Sequence, residues 1–328
     1  MGDSRTEQYP RDLLQFERQF GTEEACRDYL ATLRWPEGFR CRRCGSTRAW
    51  SRKARALMEC AGCGYQSSIT AGTIFDRTRI PLTIGFRAMW LVTNAKNGIS
   101  ALSVQRQLGF KRYETAWTFL HKLRRAMVRP ARDRLHGTVE VDETYVGGDE
   151  EDVRGRETYT KSLVAVAAEQ VGDGIGRIRL ATIPDASGPS LLGFIEEAIA
   201  HGSLVHTDCW EGYSGLTTKG YRHHAINIKR SGKHAHEVLP RVHWVASLLK
   251  RWLPGTHQGS VRPPHLDYYL DEFTFRFNRR SSRSRGKLFY RLVQQAAEVA
   301  PVSWRNSGRC GRRKPQRVVA TGLNRISH

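Results

Sequence analysis

Residues 138–148 read Thr-Val-Glu-Val-Asp-Glu-Thr-Tyr-Val-Gly-Gly, an apolar run with a carboxylate near its middle. The alternation predicts a strand over 139–146, in which Glu140, Asp142 and Thr144 share one face because strand side chains alternate between faces. A charge inside an otherwise apolar strand is costly to bury unless it is paired or bound to a cation. Asp142 is therefore a candidate functional residue.

A second carboxylate ends another strand-like run. Residues 203–208 read Ser-Leu-Val-His-Thr-Asp and finish at Asp208. A parallel neighbour of the first strand would place Asp208 beside Asp142, at the sheet edge where the sites of open α/β sheets gather. Two hard carboxylate donors suit Mg²⁺ or Mn²⁺ better than zinc, so the pair predicts a catalytic divalent-metal site.

A helix-like segment, residues 241–253, follows Asp208 and carries His243 near its start. Lys250 lies two turns further along and projects from the same side, where it could reach a phosphate. Three acidic residues are alternative third ligands: Glu237, Asp271 and Glu272. Glu237 is the strongest of these because it is closest to the start of the helix, and the choice between His243 and Glu237 stays open.

The charge of the chain points to a polyanionic partner. Its 328 residues carry 53 Lys and Arg against 32 Asp and Glu, a formal net charge of +21. That imbalance favours nucleic acid over small-molecule or acidic-protein partners. We find no apolar run of 18 or more residues and no hydrophobic signal core near Met1. We therefore expect a cytoplasmic protein, on the nucleoid when it binds DNA, with no membrane partner.

Two Cys-x2-Cys pairs, Cys41 with Cys44 and Cys60 with Cys63, are separated by 15 residues. This spacing lets two tight turns present four thiolates to one structural Zn²⁺. Glycines stand where such turns need positive φ angles. These are Gly45, Gly62 and Gly64. The other cysteines are expected to be free thiols. These are Cys26, Cys209 and Cys310.

Helical patterns follow the knuckle. Apolar residues recur at helical steps over 82–93, and Ser100 and Gly109 bound a short helix over 101–108. A longer helix is expected over 113–128. Its apolar stripe comprises Ala116, Phe119, Leu120, Leu123 and Met127, with Lys122, Arg124 and Arg125 on the outer face. The outline is that of a helix-turn-helix, and an ordinary helical hairpin with a solvated charged face is the alternative.

Strands dominate after residue 138. Further strands are expected over 162–168 and 175–183, joined by a glycine-containing hairpin turn. A helix over 187–200 and the strand 204–207 come next, which indicates an α/β layer with mixed pairing.

Taken together, these residues resemble a known family. The resemblance rests on the knuckle and on the motifs Thr70-Ala71-Gly72-Thr73-Ile74-Phe75, Val141-Asp142-Glu143-Thr144-Tyr145-Val146-Gly147-Gly148, Thr207-Asp208-Cys209-Trp210-Glu211-Gly212-Tyr213 and Tyr269-Leu270-Asp271-Glu272-Phe273. The chain resembles the zinc-ribbon DDE-type transposases of bacterial insertion sequences, the ISXO-type group, over most of residues 26 to 281.

The resemblance implies an α/β fold class: an RNase H-like mixed-sheet catalytic core, preceded by a small zinc ribbon and a helix-turn-helix-like segment. Asp142 would be the acid of the first strand and Asp208 that of the fourth. His243 would stand where the wider superfamily has Glu, and Lys250 would match a basic residue two turns later. Two divalent ions held by Asp142, Asp208 and His243 would support hydrolysis at the element end and attack of the freed 3′-hydroxyl on target DNA.

The resemblance also implies partners and a domain order. The partners would be double-stranded DNA, both element ends and target, and further copies of the chain in a homodimer or higher synaptic oligomer. The expected parts are an N-terminal helical segment at 1–37, a zinc ribbon at 38–72, a helical DNA-binding region at 78–130, a catalytic domain at 137–282 and a basic C-terminal extension at 283–328. That extension would contact phosphates, or would be a solvated tail.

Three other functions compete with a transposase. The first is a non-catalytic DNA-binding regulator derived from a transposase, which keeps the ribbon and the helix-turn-helix alone. The second is a metal-dependent nuclease without strand transfer. A glycosidase-like carboxylate pair is the weakest, because it would explain neither the charge nor the cysteine pairs.

Overall fold

The structure of the protein, a computed structural model, describes residues 8–52, 57–129, 132–148, 161–258 and 261–300. Cys310 and the basic residues that follow it lie outside the described residues. The helices and strands, in chain order, are α1 (Leu13–Gln19), α2 (Glu23–Arg34), β1 (Ala49–Arg52), β2 (Leu57–Cys60), β3 (Gln66–Ser68), α3 (Leu82–Asn94), α4 (Ala101–Leu108), α5 (Tyr113–Ala126), β4 (Thr138–Val146), β5 (Ser162–Val171), β6 (Gly174–Ile183), α6 (Gly188–Ala198), β7 (Leu204–Asp208), β8 (Arg222–Ile226), α7 (Ile228–Ser231), α8 (Ala235–Val238), α9 (Pro240–His257), α10 (Leu266–Phe277) and α11 (Arg285–Glu298).

A five-stranded mixed sheet forms the centre of the larger part of the chain. Its strand order is β6-β5-β4-β7-β8. The first three strands in sequence pair antiparallel, whereas β7 pairs parallel with β4 and β8 parallel with β7. An antiparallel three-strand meander extended by two parallel strands is the RNase H-like arrangement, and the expected α/β fold class is confirmed.

The two faces of β4 are covered by different helices. Val139 and Val141 are fully buried in a cluster with residues of α6. Glu140 points to the opposite face, where its carboxylate meets the start of α9. The period-two alternation in the sequence therefore sorts these side chains as expected, and it directs Glu140 and Asp142 toward the α9 face of the sheet.

The cysteine pairs lie in a small separate sheet. Its three strands, β1, β2 and β3, pair antiparallel in that order. Helices α1 to α5 and α11 share one core and form the helical part of the chain. Arg34, at the end of α2, fixes the small sheet to this part, because its Nη1 donates to the carbonyl oxygen of Ser68 over 2.9 Å and to that of Ile69. The sheet has few buried apolar residues of its own, which is the usual situation of a small metal-stabilised unit.

The short helix α4 has the bounds that its sequence signals predict. The Ser100 hydroxyl accepts a hydrogen bond from the Ser103 amide at the helix start, and Gly109 ends the helix at φ +67°. The apolar stripe expected for α5 is buried as well. The expectation for Arg124 is wrong, however: it is 2% exposed rather than on the outer face. The physical reason is an ionic partner on α10, Glu272, which the local pattern does not reveal.

Several elements were not predicted, and two of them complete the mixed sheet and the core of the helices. The first is β8, an edge strand at 222–226. The second is α11, which lies inside the segment expected to be a basic extension and packs on α2 and α3. Its Phe289 is fully buried among Phe16, Phe20 and Phe86. The basic segment thus begins with a helix that completes the core of the helical part.

Within the described residues, every helix is too short or too polar to cross a membrane.

Candidate active site and zinc-binding knuckle

Asp142 and Asp208 lie on adjacent parallel strands at the same end of the sheet. Glu140 of β4 is paired with His206 of β7. Asp142 lies two residues after Glu140, and Asp208 lies two residues after His206. Because two residues are one strand period, both aspartates lie on the face that Glu140 occupies. The structure therefore brings these two residues together from positions 66 residues apart in the sequence.

His243 reaches the same place from the first turn of α9. Its Nε2 lies 3.5 Å from Asp142 Oδ2. Nε2 is buried and, among the described residues, has no hydrogen-bond partner. Where a buried imidazole nitrogen faces a carboxylate without good hydrogen-bond geometry, the two groups are suitably placed to share a cation.

The environment of His243 favours the neutral form of its imidazole. Burial lowers the pKa of His243, nearby His236 and Lys250 lower it further, and the carboxylate of Glu140 partly opposes them. A neutral imidazole is the form that binds metal ions. Lys250 is exposed on the same helix, seven residues after His243.

The three residues do not form a closed ligand set. We looked for three or more His, Cys, Asp or Glu whose ligand atoms all lie within 4.8 Å of one another. Among the described residues, only the four cysteines form such a group. Asp208 Oδ1 accepts a hydrogen bond from the Trp210 amide over 3.0 Å, which closes a turn after β7. Asp208 would have to rotate, or use its second oxygen, to share a cation with Asp142 and His243.

Two residues missed by sequence reasoning lie next to this region, on the α6 side of the sheet. The Tyr213 hydroxyl donates to Glu143 Oε2 over 2.7 Å. Burial raises the pKa of Tyr213 well above its usual value, and the carboxylates of Glu143, Asp142 and Asp208 raise it further. Three carboxylates therefore act electrostatically on this hydroxyl and keep it protonated. Tyr213 lies in a motif of the resemblance, but no local spacing indicates its contact with Glu143.

The alternative third ligands have other partners. Glu237 is exposed, and its Oε2 accepts a hydrogen bond from the His234 amide over 2.7 Å in a capping box at the start of α8. Glu272 is buried between Arg124 and Arg276. Asp271 is buried on the same helix, α10. His243, by contrast, lies directly against Asp142 and is the candidate that the geometry favours.

The cysteine knuckle has the geometry of a structural zinc site. Cys41 Sγ lies 3.7 Å from Cys63 Sγ, and Cys44 Sγ lies 3.5 Å from Cys60 Sγ. Four thiolates about 2.3 Å from one Zn²⁺ would be about 3.8 Å apart along a tetrahedral edge. These separations fit zinc, and four thiolates leave no open coordination position for catalysis.

The local backbone explains this convergence. The amide of Gly45 donates to the Cys41 carbonyl oxygen over 3.0 Å, and that of Gly64 to the Cys60 carbonyl oxygen over 2.9 Å. Both glycines have positive φ, as expected, whereas Gly62 does not. Burial opposes ionisation of Cys60, but the amides that follow it donate to its sulfur and lower its pKa to about 6.

Two known protein families match this chain, one over the mixed sheet and one over the cysteine knuckle. Residues 134–278 match the family described as ISXO2-like transposase domain. Residues 21–66 match the family described as transposase zinc-ribbon domain. The chain belongs to the zinc-ribbon, ISXO2-like transposases. The first match spans all five strands of the mixed sheet, and the second contains the four cysteines.

Two relatives show how far the similarity extends along this transposase. It is 27% identical over 308 residues to an "Uncharacterized protein in transposable element ISH50" of Halobacterium salinarum, an alignment covering 85% of this chain and 98% of that protein. It is 24% identical over 118 residues to an "Uncharacterized transposase-like protein" of Haemophilus influenzae, which covers 36% of this chain and 94% of the relative.

Two solved structures show weak similarity to the transposase. One is a chain of the simian T-cell lymphotropic virus intasome in complex with PP2A regulatory subunit B56 gamma, with a TM-score of 0.27 and 16% identity over 51% of this chain and 63% of that chain. The other is the Mos1 strand transfer complex, with a TM-score of 0.27 and 11% identity over 65% of this chain and 75% of that chain.

Proposed function

We propose that this transposase binds the ends of its insertion sequence and performs divalent-metal-dependent strand cleavage and strand transfer on DNA. The observation that carries the proposal is the meeting of Asp142 and His243, whose side chains lie 3.5 Å apart although different elements supply them. The adjacent end of β7 adds Asp208. Two carboxylates and a neutral imidazole are suitable donors for Mg²⁺ or Mn²⁺.

In this proposal Asp142, Asp208 and His243 are the residues that would hold the catalytic ions. When bound, such ions lower the pKa of a water or hydroxyl nucleophile and stabilise the departing oxygen. The protein's own part is to hold the scissile phosphate against these three residues. Lys250, exposed two turns along α9 from His243, would contact a phosphate oxygen of the bound strand.

Recognition of the element ends is assigned to the zinc ribbon and to the α4–α5 unit. Residues 111–115, at the start of α5, are all exposed, and they include Lys111 and Arg112. The N-terminal residues of the second helix of a helix-turn-helix are the ones that contact base edges. We also propose that two or more copies assemble on paired ends, as synapsis of two ends requires.

Cleavage of an end-labelled duplex tests the chemistry. The duplex carries the terminal sequence of the element that encodes the chain, and reactions contain Mg²⁺, Mn²⁺ or a chelator. Asp142→Asn and Asp208→Asn are expected to abolish cleavage while duplex binding persists. Asp28→Asn removes an exposed carboxylate on α2 and serves as the matched control. Full cleavage by either site variant would contradict the assignment, and binding without any cleavage by the wild type would favour the non-catalytic regulator.

The third ligand is tested by comparing His243→Ala with Glu237→Ala. We expect His243→Ala to reduce cleavage by roughly 10²-fold or more, equivalent to about 2.7 kcal/mol of transition-state stabilisation. Glu237→Ala should remove only a cap of the short helix α8. The opposite pattern would assign the ligand to Glu237.

Strand transfer separates a transposase from a nuclease. A pre-cleaved end with a free 3′-hydroxyl is incubated with a supercoiled target plasmid. Joined products are expected, and cleavage without joined products would indicate the nuclease.

A further inference from the structure

Glu140 is a buried carboxylate on β4, two residues before Asp142, and it is 2% exposed. Its Oε2 accepts hydrogen bonds from the backbone amides of Arg241 over 2.7 Å and Val242 over 3.1 Å. Its Oε1 accepts from Arg241 Nη1 over 2.8 Å. Three donors therefore surround one carboxylate, and all come from the start of α9.

These amides belong to the first turn of α9, which lacks a capping side chain of its own. Leu239 occupies the N-cap position and makes no side-chain capping bond, and Pro240 has no amide hydrogen to offer. The first amides of a helix have no partner within the helix, and a negative charge there is stabilised by the helix dipole. Glu140 supplies from the sheet the cap that the helix sequence lacks.

Arg241 extends this connection to the far hairpin. Its Nε donates to the Gly174 carbonyl oxygen over 3.1 Å, and its Nη2 donates to that of Gly172 over 3.4 Å. The first turn of α9 is therefore held at two places, by Glu140 on β4 and by the β5–β6 turn. A helix fixed at two separate points can neither slide along the sheet nor rotate about its axis without breaking hydrogen bonds.

His243 follows one residue after Val242 and lies in this fixed turn. The strand that caps the helix is also the strand that carries Asp142, so one element sets the positions of both partners in the 3.5 Å contact. We propose that Glu140 is a positioning residue for the active site, which holds the first turn of α9 at the height and rotation that bring His243 to Asp142. The proposal rests on the proposed function, in which His243 and Asp142 hold the same catalytic ion.

A purely structural role is the alternative, and the chain contains a matched example of one. Glu169, on β5, is 4% exposed. It accepts hydrogen bonds from the amides of His136 and Arg177, each over 3.0 Å, and from the guanidinium of Arg177. It is therefore also a buried carboxylate with two amide donors and one arginine, but its partners do not include α9. Glu169→Gln measures the cost of losing such a charge anywhere in this sheet.

The test compares Glu140→Gln with Glu169→Gln in the full-length protein. In Glu140→Gln the introduced side-chain amide would turn a donor toward groups that are themselves donors, so the cap is weakened while the side-chain volume is kept. Glu140→Asp is the second variant: it keeps the charge but is one methylene shorter. Urea denaturation first establishes that each variant is folded and how much stability each has lost.

Three readouts then separate positioning from stability. The first is the His243 Nε2 to Asp142 Oδ2 distance in metal-free crystal structures. The second is paramagnetic broadening of the His243 ring signals by Mn²⁺, in protein labelled at histidine. The third is cleavage of the labelled end duplex, analysed as kcat and KM.

We expect Glu140→Gln to lengthen the His243–Asp142 separation, to weaken the Mn²⁺ broadening, and to reduce kcat by roughly 10²-fold with little change in KM, the size of effect expected from a misplacement of about 1 Å. Glu140→Asp should give a smaller loss of the same kind. Glu169→Gln should lose comparable stability and keep all three properties.

Unchanged distance, broadening and kcat in Glu140→Gln would overturn the proposal, and so would an equal loss of kcat in Glu169→Gln. Failure of the proposed function looks different, because the wild type itself would then show neither Mn²⁺ broadening at His243 nor cleavage. In that event the metal-free distance alone still decides whether Glu140 positions His243.

Discussion

Arg124 Nε donates a hydrogen bond to Glu272 Oε2 over 2.8 Å, and both side chains are 3% exposed. Arg276 holds the other oxygen of the same carboxylate, with Nη2 2.7 Å from Oε1. The guanidinium of Arg124 also lies 4.2 Å from the centre of the Tyr269 ring. The second helix of the helix-turn-helix-like unit, α5, is therefore joined to α10, which covers the catalytic sheet.

Glu272→Gln is expected to lower the free energy of unfolding by about 3–5 kcal/mol, because it leaves two buried guanidinium groups without their counter-charge. Urea denaturation followed by circular dichroism measures this loss. The control is Asp133→Asn, which breaks a pair with Arg129 whose side chains are 76% and 50% exposed and which should cost at most about 1 kcal/mol. Equal losses in the two variants would contradict a central role for the buried cluster.

The carboxylate of Glu272 also has a defined pH dependence. Burial raises its pKa, but Arg276 and Arg124 outweigh that effect and hold the pKa at about 2, against an ordinary value of 4.5. Because the folded-state pKa is lowered, its stabilising contribution is present above pH 4.5 and is lost as the pH falls toward 2. The join between α5 and α10 should thus withstand mild acid.

Two histidines beside this cluster respond at higher pH. Burial, reinforced by Arg124, lowers the pKa of His121 to about 2 and that of His257 to about 4, from an ordinary 6.5. Below pH 6.5 the unfolded chain therefore binds protons that the folded chain does not, and stability falls as the pH is lowered from 6.5 toward 4. At pH 5 each histidine should cost about 2 kcal/mol relative to pH 7.5.

His121→Phe tests this pH dependence. The variant removes the group that must stay neutral, so its loss of stability between pH 7.5 and pH 5 should be smaller than that of the wild type by about 2 kcal/mol. His136→Phe, at an exposed position, is the control. The measurement is urea denaturation at both pH values. An identical pH dependence in His121→Phe and wild type would show that His121 is not the responsible group.

The cysteine knuckle gives a prediction about metal content. Purified protein should contain one Zn²⁺ per chain, and Cys44→Ser should contain none, because three thiolates and a hydroxyl no longer form the site. Cys209→Ser, at an exposed cysteine outside the knuckle, should keep the metal. Elemental analysis gives the stoichiometry. Limited proteolysis of Cys44→Ser should cut first within 38–72, since zinc supplies most of the stability of such units.

Sequence patterns predicted those elements whose signals are local. The alternation around Asp142 gave the strand β4 and its two faces, and Ser100 and Gly109 gave both ends of α4. These signals need no knowledge of distant residues. The placement of Asp142 and Asp208 at the ends of neighbouring strands also followed, because β4 pairs parallel with β7.

What the sequence did not reveal depends on partners far away in the chain. Arg124 looks like a solvated charge until Glu272, 148 residues later, is packed against it. In the sequence, Glu140 looks like a neighbour of the candidate acid Asp142 rather than a helix cap, because Arg241 and Val242 lie about a hundred residues away. The sequence of β8 does not alternate between apolar and polar residues. This edge strand has no apolar face to bury, because backbone pairing with β7 holds it in place.

The segment after residue 283 was misleading for a different reason. Its charge suggested a basic extension that contacts phosphates or is solvated. Its helix, however, is capped by Ser284 and has a buried apolar stripe formed by Leu288, Phe289, Leu292 and Val293. The helix α11 is amphipathic, with an apolar inner face and basic residues on its outer face. Net charge therefore describes the surface of this segment and not its packing.

The last prediction concerns the basic surface itself. If several phosphates are neutralised on binding, the association constant for the end duplex should fall with salt at a log–log slope of roughly −0.9 per phosphate contact. Arg112→Ala, at the exposed start of α5, should reduce that slope by about one unit. Lys219→Ala is the charge-matched control, because its ammonium is paired with Glu196 over 2.9 Å. Fluorescence anisotropy of a labelled duplex between low and moderate salt measures both slopes, and a wild-type slope near zero would contradict phosphate binding.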